Sequence, residues 1–325
     1  MSTFPILTFN TIFKSVLWGG KRIAQFKGIP SQGDHIGESW ELSGVPGHES
    51  VIESGIYAGK TLPEVLKTHA EEIMGAHVVS RYGTEFPLLI KLIDSADDLS
   101  IQVHPDDALA AKRHNCNGKT EMWISLDPAE GAYLYSGFSR EISKEEYRKR
   151  IADNTILKTL GKYYTRKGDV FFLPAGRVHS IGKGNFILEI QQSSDVTYRI
   201  YDFDRRDAAG NPRQLHIEES LDAVNFADVN QATPSMIAGI ANEEEVIADC
   251  NFFTTTALAV EGEKSIDLSA RDSFTIVIAT EGTATIVGAD NAVTKLTQGN
   301  AALIPASMPN ITVCGNCRLV TTFIK

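Results

Sequence analysis

The stretch KGDVFFLPAGRVH, Lys167 to His179, recurs later in the same chain as QGNAALIPASMPN, Gln298 to Asn310. The two align without a gap: a glycine, a small polar residue, a run of buried type, then Pro-Ala and a loop. A short apolar run closed by proline reads as a strand entering a turn, because proline cannot continue a central strand. Self-similarity of this kind marks a repeated structural unit. It predicts two related β domains in tandem. The copies differ at the last aligned position, where the first has His179 and the second Asn310. If that position binds a metal in the first copy, the second copy has lost the ligand.

Working outward, most of the chain reads as short strands punctuated by Gly, Asn and Pro, among them ESWELSG, FPLLIKLID, KTEMWISL, NFILEIQQ and FTIVIATEGTATIVG. Helical signals are few. Thr61 and Glu64 form a capping-box pattern with Pro63 in the first turn, and Ser143 and Glu146 repeat it. Pro105 suits the first turn of a short helix, PDDALAAKRH, and LHIEESLDAVNF is a further candidate. The predicted fold is mainly β, with two tandem jelly-roll domains and helical insertions near 61–75, 105–114, 143–160 and 215–226. The polar, proline-containing NQATPSM at 230–236 places the boundary between a first domain, 1–230, and a second, 231–325.

The chain has 325 residues, 42% hydrophobic and 22% charged, with a formal net charge of -10. That charge argues against nucleic acid as a partner, and an anionic ligand would need a local cluster of Lys and Arg. No apolar run approaches the roughly 18 residues of a membrane helix, so no membrane partner is expected. The apolar N-terminus is broken by Pro5 and Asn10 and lacks a preceding basic segment, which makes it a poor signal peptide. Four cysteines in a chain this long fit a reduced cytoplasm. Cys314 and Cys317 have redox-motif spacing in CGNC, but they lie between two strand-like runs. Gly315-Asn316 is read there as a hairpin turn.

The chemistry-bearing pattern lies in DLSIQVHPDD, Asp98 to Asp107. Leu99, Ile101 and Val103 alternate with Ser100, Gln102 and His104, so a strand would put an aliphatic row on one face and a polar row on the other. In the following strand Lys119, Glu121 and Trp123 share a face. Gln102, His104 and Glu121 can then approach one another, with His179 joining after FFLPAGRV. Two imidazoles, a carboxylate and an amide make a zinc-type ligand set without thiolate. His216, like His35, His48, His69, His77 and His114, has no evident partner in the sequence and reads as surface or structural. Both GKT sequences lack the first glycine of a phosphate-binding loop, which would fall at Ser54 and Arg113.

Arg199 in DVTYRIYDFD and Lys91 in PLLIKLID are charges among apolar neighbours, and each needs a carboxylate or a ligand. Asp195, Asp202 and Asp204 are the nearby carboxylates for Arg199, and Asp195 is the preferred partner. Lys91, Lys119 and Arg199 together would supply the local positive cluster for an anion.

LSIQVHPDD, GKTEMW, PAGRVHSIG and QQSSDVTYRIYDFDR, in this order and spacing, resemble the short bacterial form of the type I mannose-6-phosphate isomerases. VLWGG and GESWELSG fit the same pattern. The resemblance implies two cupin-type jelly rolls, with one zinc ion in the first and no metal ligands in the second. It implies His104, Glu121 and His179 as zinc ligands, with Gln102 a fourth in many members. Arg199 and Lys119 match catalytic positions, and Ser100, Lys91, Asp195 and Trp18 match substrate-side ones. The implied reaction interconverts mannose 6-phosphate and fructose 6-phosphate through an enediol(ate), so the partner is a small sugar phosphate. Two other readings remain open at this point: an iron-dependent cupin oxygenase, and a non-catalytic sugar-phosphate-binding regulator.

Overall fold

In the computed structural model, which describes residues 4–206, 209–229 and 234–325, the chain is mainly β. Its strands form three antiparallel sheets. The first, of seven strands, runs in the order Ser235–Met236, Asp169–Leu173, Glu121–Ser125, Phe186–Gln192, Leu88–Asp94, Ile36–Ser43, Ile12–Gly20. The second, of five strands, runs Tyr198–Tyr201, Ile101–Val103, His179–Ile181, Tyr133–Phe138, Leu160–Tyr164. These two sheets face each other and form a jelly roll. Between them Trp18, Ile93, Leu99, Trp123, Leu134, Phe171, Ile181 and Ile187 pack as one cluster.

The third sheet holds the long strands Thr254–Asp267, Thr275–Gly288 and Asn310–Phe323 together with Glu244–Asp249, Val293–Thr297, Ala301–Ile304 and Leu7–Thr8. Its own interior buries Leu258, Val277, Ile286, Ile304 and Val313. Alternation along each strand assigns the remaining apolar residues to the contact between rolls. Met122, Ile124, Leu188 and Ile190 of the first sheet share a buried cluster with Ile276, Ile278, Leu303 and Val320 of the third. At this junction Lys27 Nζ donates to Glu41 Oε2 (2.7 Å), to the Gly299 carbonyl (2.6 Å) and to Asn300 Oδ1 (2.9 Å).

The repeated segments occupy matching places. Asp169–Leu173 and Ala301–Ile304 are strands, and the strands that follow open at His179 and at Asn310. His179 is buried and Asn310 exposed. The boundary at 230/231 lies outside the described residues.

Several local expectations change. The helix after His104 spans Asp107–His114, and the Asp106 side chain caps it by accepting from Leu109 N, so Pro105 precedes the helix. The helix begun at Ser143 ends at Ala152; a single turn, Ile156–Thr159, then leads into a strand from Leu160. A second helix, Ala76–Tyr82, follows directly on Leu62–Met74. Gly315-Asn316 is not a turn: Asn310–Phe323 runs through it, with Gly315 paired to Gly262. Glycine is required there for another reason. Its φ is 136°, and a Cβ would stand 2.7 Å from the Thr283 carbonyl oxygen of the neighbouring strand.

Candidate metal centre and cavity

Strand pairing sets two rows of side chains opposite each other inside the first roll. Across the five-stranded sheet, Arg199 pairs with Gln102 and Gln102 with His179. Across the seven-stranded sheet, Trp40 pairs with Lys91, Lys91 with Glu189 and Glu189 with Trp123. The strand carrying Gln102 is only three residues long, Ile101–Val103. Leu99, expected beside Ile101 and Val103, instead joins Trp18 and Trp123 inside the roll.

His104, Glu121 and His179 meet where these rows converge, each no more than 1% exposed. His104 Nδ1 lies 2.9 Å from the Val196 carbonyl oxygen and His179 Nδ1 lies 2.8 Å from that of Arg177. A carbonyl only accepts, so both Nδ1 atoms carry the hydrogen and both Nε2 atoms present lone pairs. Those two Nε2 atoms are 3.2 Å apart. Glu121 places Oε1 3.1 Å from His179 Nε2 and Oε2 3.5 Å from His104 Nε2. Both of its buried oxygens lack a hydrogen-bond donor. Acceptors packed against acceptors out of water are costly without a cation, and the Lys119 ammonium touches only the Glu121 Oε2 and His104 Nε2 side of the cluster.

The separations fit that cation. A tetrahedral ion with bonds of about 2.0–2.1 Å has ligand–ligand edges of about 3.3 Å. Gln102 puts its amide 3.4 Å from His179 Nε2, and a half-turn of the amide presents its oxygen there. Among the described residues this is the one convergence of three His, Cys, Asp or Glu ligand groups. Burial, then the Lys119 ammonium, holds the His104 imidazole well below its ordinary pKa and so neutral. Burial alone would raise the Glu121 pKa, but its neighbours, the Lys119 ammonium foremost, outweigh it and keep the carboxylate ionised. Lys119 Nζ stands 3.3 Å from Glu121 Oε2 and 3.3 Å from His104 Nε2.

A cavity of about 320 Å³ opens beside these three side chains. Trp18, Lys91, Ser100, Gln102, Lys119, Asp195 and Arg199 all line it. The positive trio expected from the sequence is largely committed, however. Lys91 lies 3.3 Å from Glu189 and 3.9 Å from Glu38, whose charges hold its pKa above the ordinary value against burial. Glu189, raised by burial and by the Glu121 charge, also accepts from Trp123 Nε1. Lys119 faces Glu121. Only Arg199 has no carboxylate partner among the described residues: Nη1 donates to the Gln214 carbonyl, and the buried Nε has no acceptor.

Asp195 is therefore not the partner of Arg199; it is exposed, and its charge acts on Lys91. Asp202 pairs with Arg213 at 2.7 and 2.5 Å. Glu38, Glu189, Arg213 and His216 also line the cavity, and sequence reasoning missed all four. His216 is no isolated surface residue, because its Nδ1 accepts from Arg199 N and its own N donates to the Arg199 carbonyl. His114 likewise contacts the Tyr198 hydroxyl at 2.8 Å.

Comparison with known proteins identifies a family. Residues 6–137 match the model of the phosphomannose isomerase type I catalytic domain, and residues 242–324 that of the mannose-6-phosphate isomerase cupin domain. A mannose-6-phosphate isomerase of Streptococcus mutans is 37% identical over 282 residues, covering 87% of each chain. The crystal structure of the Bacillus subtilis mannose 6-phosphate isomerase superposes with a TM-score of 0.85 at 31% identity, covering 98% of this chain and 99% of that one. A mannose 6-phosphate isomerase solved with zinc bound shares the fold at a TM-score of 0.79 and 19% identity, covering 98% of this chain and 99% of that one. The chain belongs to the type I phosphomannose isomerases.

Proposed function

We propose that this chain interconverts mannose 6-phosphate and fructose 6-phosphate, using one zinc ion per chain held by His104, Glu121, His179 and Gln102. The observation that carries the reading is the convergence of two imidazole Nε2 atoms and the Glu121 carboxylate, 3.1–3.5 Å apart and buried, beside a cavity lined by Arg199. Nitrogen and oxygen ligands at tetrahedral edge distances suit zinc. When bound, zinc supplies Lewis acidity to the sugar's carbonyl and hydroxyl oxygens.

The residues divide the remaining work. The isomerisation moves a proton between C1 and C2 through an enediol(ate), which calls for an acid–base group and for positive charge where the oxyanion develops. Lys119, beside the ligands, brings an ammonium to that charge. Arg199, with its guanidinium uncommitted to any described carboxylate, binds the anionic substrate. Ser100, Trp18, Lys91 and Asp195 line the sugar, and Lys119 and Asp195 are the titratable candidates for carrying the proton. The chain divides into a metal-binding cupin unit, 1–230, and a second unit, 231–325, that packs against it. Four unpaired cysteines support a cytoplasmic setting.

A coupled assay tests this directly. Mannose 6-phosphate should give fructose 6-phosphate, a chelator should abolish the rate, and zinc should restore it. Oxygen uptake by an iron-loaded protein, with no interconversion, would establish the oxygenase reading instead.

A further inference from the structure

Residues 193–197 cross from one sheet of the first roll to the other, between the strands Phe186–Gln192 and Tyr198–Tyr201. The segment brings Asp195 and Thr197 to the cavity wall and presents the Val196 carbonyl to His104 Nδ1. Lying outside both ladders, it takes its shape from the hydrogen bonds its own backbone can find. Ser193 N donates to the Pro87 carbonyl and Ser194 N to the Gln192 carbonyl, both at 2.8 Å. Further along, Val196 N reaches the Ser194 hydroxyl at 3.4 Å, a long contact for a backbone donor.

Gln191 supplies a stronger tie. It is fully buried and stands opposite Glu121 in the seven-stranded sheet. Its Nε2 donates to the Gln192 carbonyl at 2.8 Å and to the Ser194 carbonyl at 2.7 Å. Carbonyls only accept, so these partners fix which way the amide points and use both of its hydrogens. The Gln191 Oε1 is buried and meets no donor. An unmet acceptor out of water is costly, and the two donations are what offset it. Asparagine would be a methylene short of these carbonyls, and lysine or arginine would bring a charge into a dry interior. Gln192 holds the base of the same segment, its Oε1 accepting from Thr120 N at 2.8 Å and its Nε2 donating to Asp107 Oδ1 at 2.9 Å. With the base held, the pull of Gln191 on the Ser194 carbonyl sets the course of the chain into Val196.

The two imidazoles differ in this one respect. Each has Nδ1 on a backbone carbonyl, but His179 uses that of Arg177, which the Gln191 amide does not touch. We propose that Gln191 is a positioning residue for His104: by shaping residues 193–197 it places the Val196 carbonyl that holds the ring, and so keeps His104 Nε2 aimed at the metal position. The inference rests on the metal-site reading and deepens it. The partner of a metal-binding imidazole fixes both its tautomer and its orientation, and losing such a partner costs about 10- to 100-fold in metal affinity.

The test compares the zinc-loaded protein with Gln191→Met, which keeps the length of the side chain and loses its donors. Nitrogen-15 NMR reads hydrogen exchange at the two ring Nδ1–H groups, and competition against a chromophoric chelator reads zinc affinity. In Gln191→Met the His104 Nδ1–H should exchange about 10-fold faster, the equivalent of about one hydrogen bond, while that of His179 is unchanged. Zinc should bind about 10-fold more weakly, the lower end of the range because Gln191 acts through Val196. A purely structural role would move both ring signals together. Unchanged His104 exchange, equal changes at both rings, or unaltered zinc affinity would each overturn the proposal. Should Gln191→Met fail to fold, Gln191→Asn decides by the same two readings. If the unaltered protein binds no zinc, the metal-site reading fails, and the ring signals of the metal-free protein and variant decide the positioning role by the same comparison.

Discussion

Replacing His179 by asparagine puts into the first roll the residue that the second roll carries at Asn310. His179 is 1% exposed, with Nδ1 on the Arg177 carbonyl at 2.8 Å and Nε2 facing Glu121 at 3.1 Å and His104 at 3.2 Å. An asparagine is too short to reach the carbonyl and the ligand position at once. Zinc bound by four protein groups is worth about 10–16 kcal/mol, or about 3–4 kcal/mol per ligand. Loss of one imidazole should weaken zinc about 10²- to 10³-fold, since about 1.4 kcal/mol is a factor of ten. The metal-free fold should lose far less: one hydrogen bond, about 1 kcal/mol, and a small void. Competition against a chromophoric chelator reads the affinity, and thermal unfolding with and without zinc separates the two costs. Asn310→His is the control: the position is exposed and should recruit no second ion. Stoichiometric zinc with unaltered affinity in His179→Asn would refute the ligand assignment.

Three further outcomes are expected. Lys27→Met leaves Glu41 buried without its cation and should cost about 3–5 kcal/mol in urea unfolding, with Lys27→Met/Glu41→Leu recovering most of it. Ser100→Ala, at the cavity wall, should raise KM for mannose 6-phosphate about 3- to 10-fold with little change in kcat, read from initial rates. Half-buried Glu146 is held down to about 2 by Arg140 first and then Arg150. Because its folded pKa lies below the unfolded value of 4.5, its contribution is present above about pH 4.5 and fades as pH falls towards 2. The Tm difference between the unaltered protein and Glu146→Gln should therefore be small at neutral pH and vanish near pH 2.

What sequence reasoning reached was governed by local periodicity. The gapless repeat at 167–179 and 298–310 exposed related strand–turn–strand units, and the alternation of Ser100, Gln102 and His104 exposed a polar face. Pairings between distant strands were out of reach. Lys91 looked like a free cation because Glu189 and Glu38 are brought to it only by the register of Leu88–Asp94 between its two neighbours. Arg199 looked paired because Asp195 and Asp202 lie close in sequence, yet Asp202 is taken by Arg213. His216 carried no local signal at all, since its partner is the backbone of Arg199. Gly315 was read as a turn because glycine followed by asparagine suits one. In the fold the glycine admits a close approach by the Thr283 carbonyl within an unbroken strand. The contact of Leu7–Thr8 with Ala302–Leu303 spans nearly the whole chain and leaves no trace in either segment.

The most direct measurement is a zinc titration of the chelator-treated protein, followed by its rate of mannose 6-phosphate isomerisation. The rate should rise linearly from near zero and break sharply at one zinc per chain, while His179→Asn stays flat over the same range. Full turnover without metal, or a break at any other stoichiometry, would contradict a single metal-dependent site at His104, Glu121 and His179.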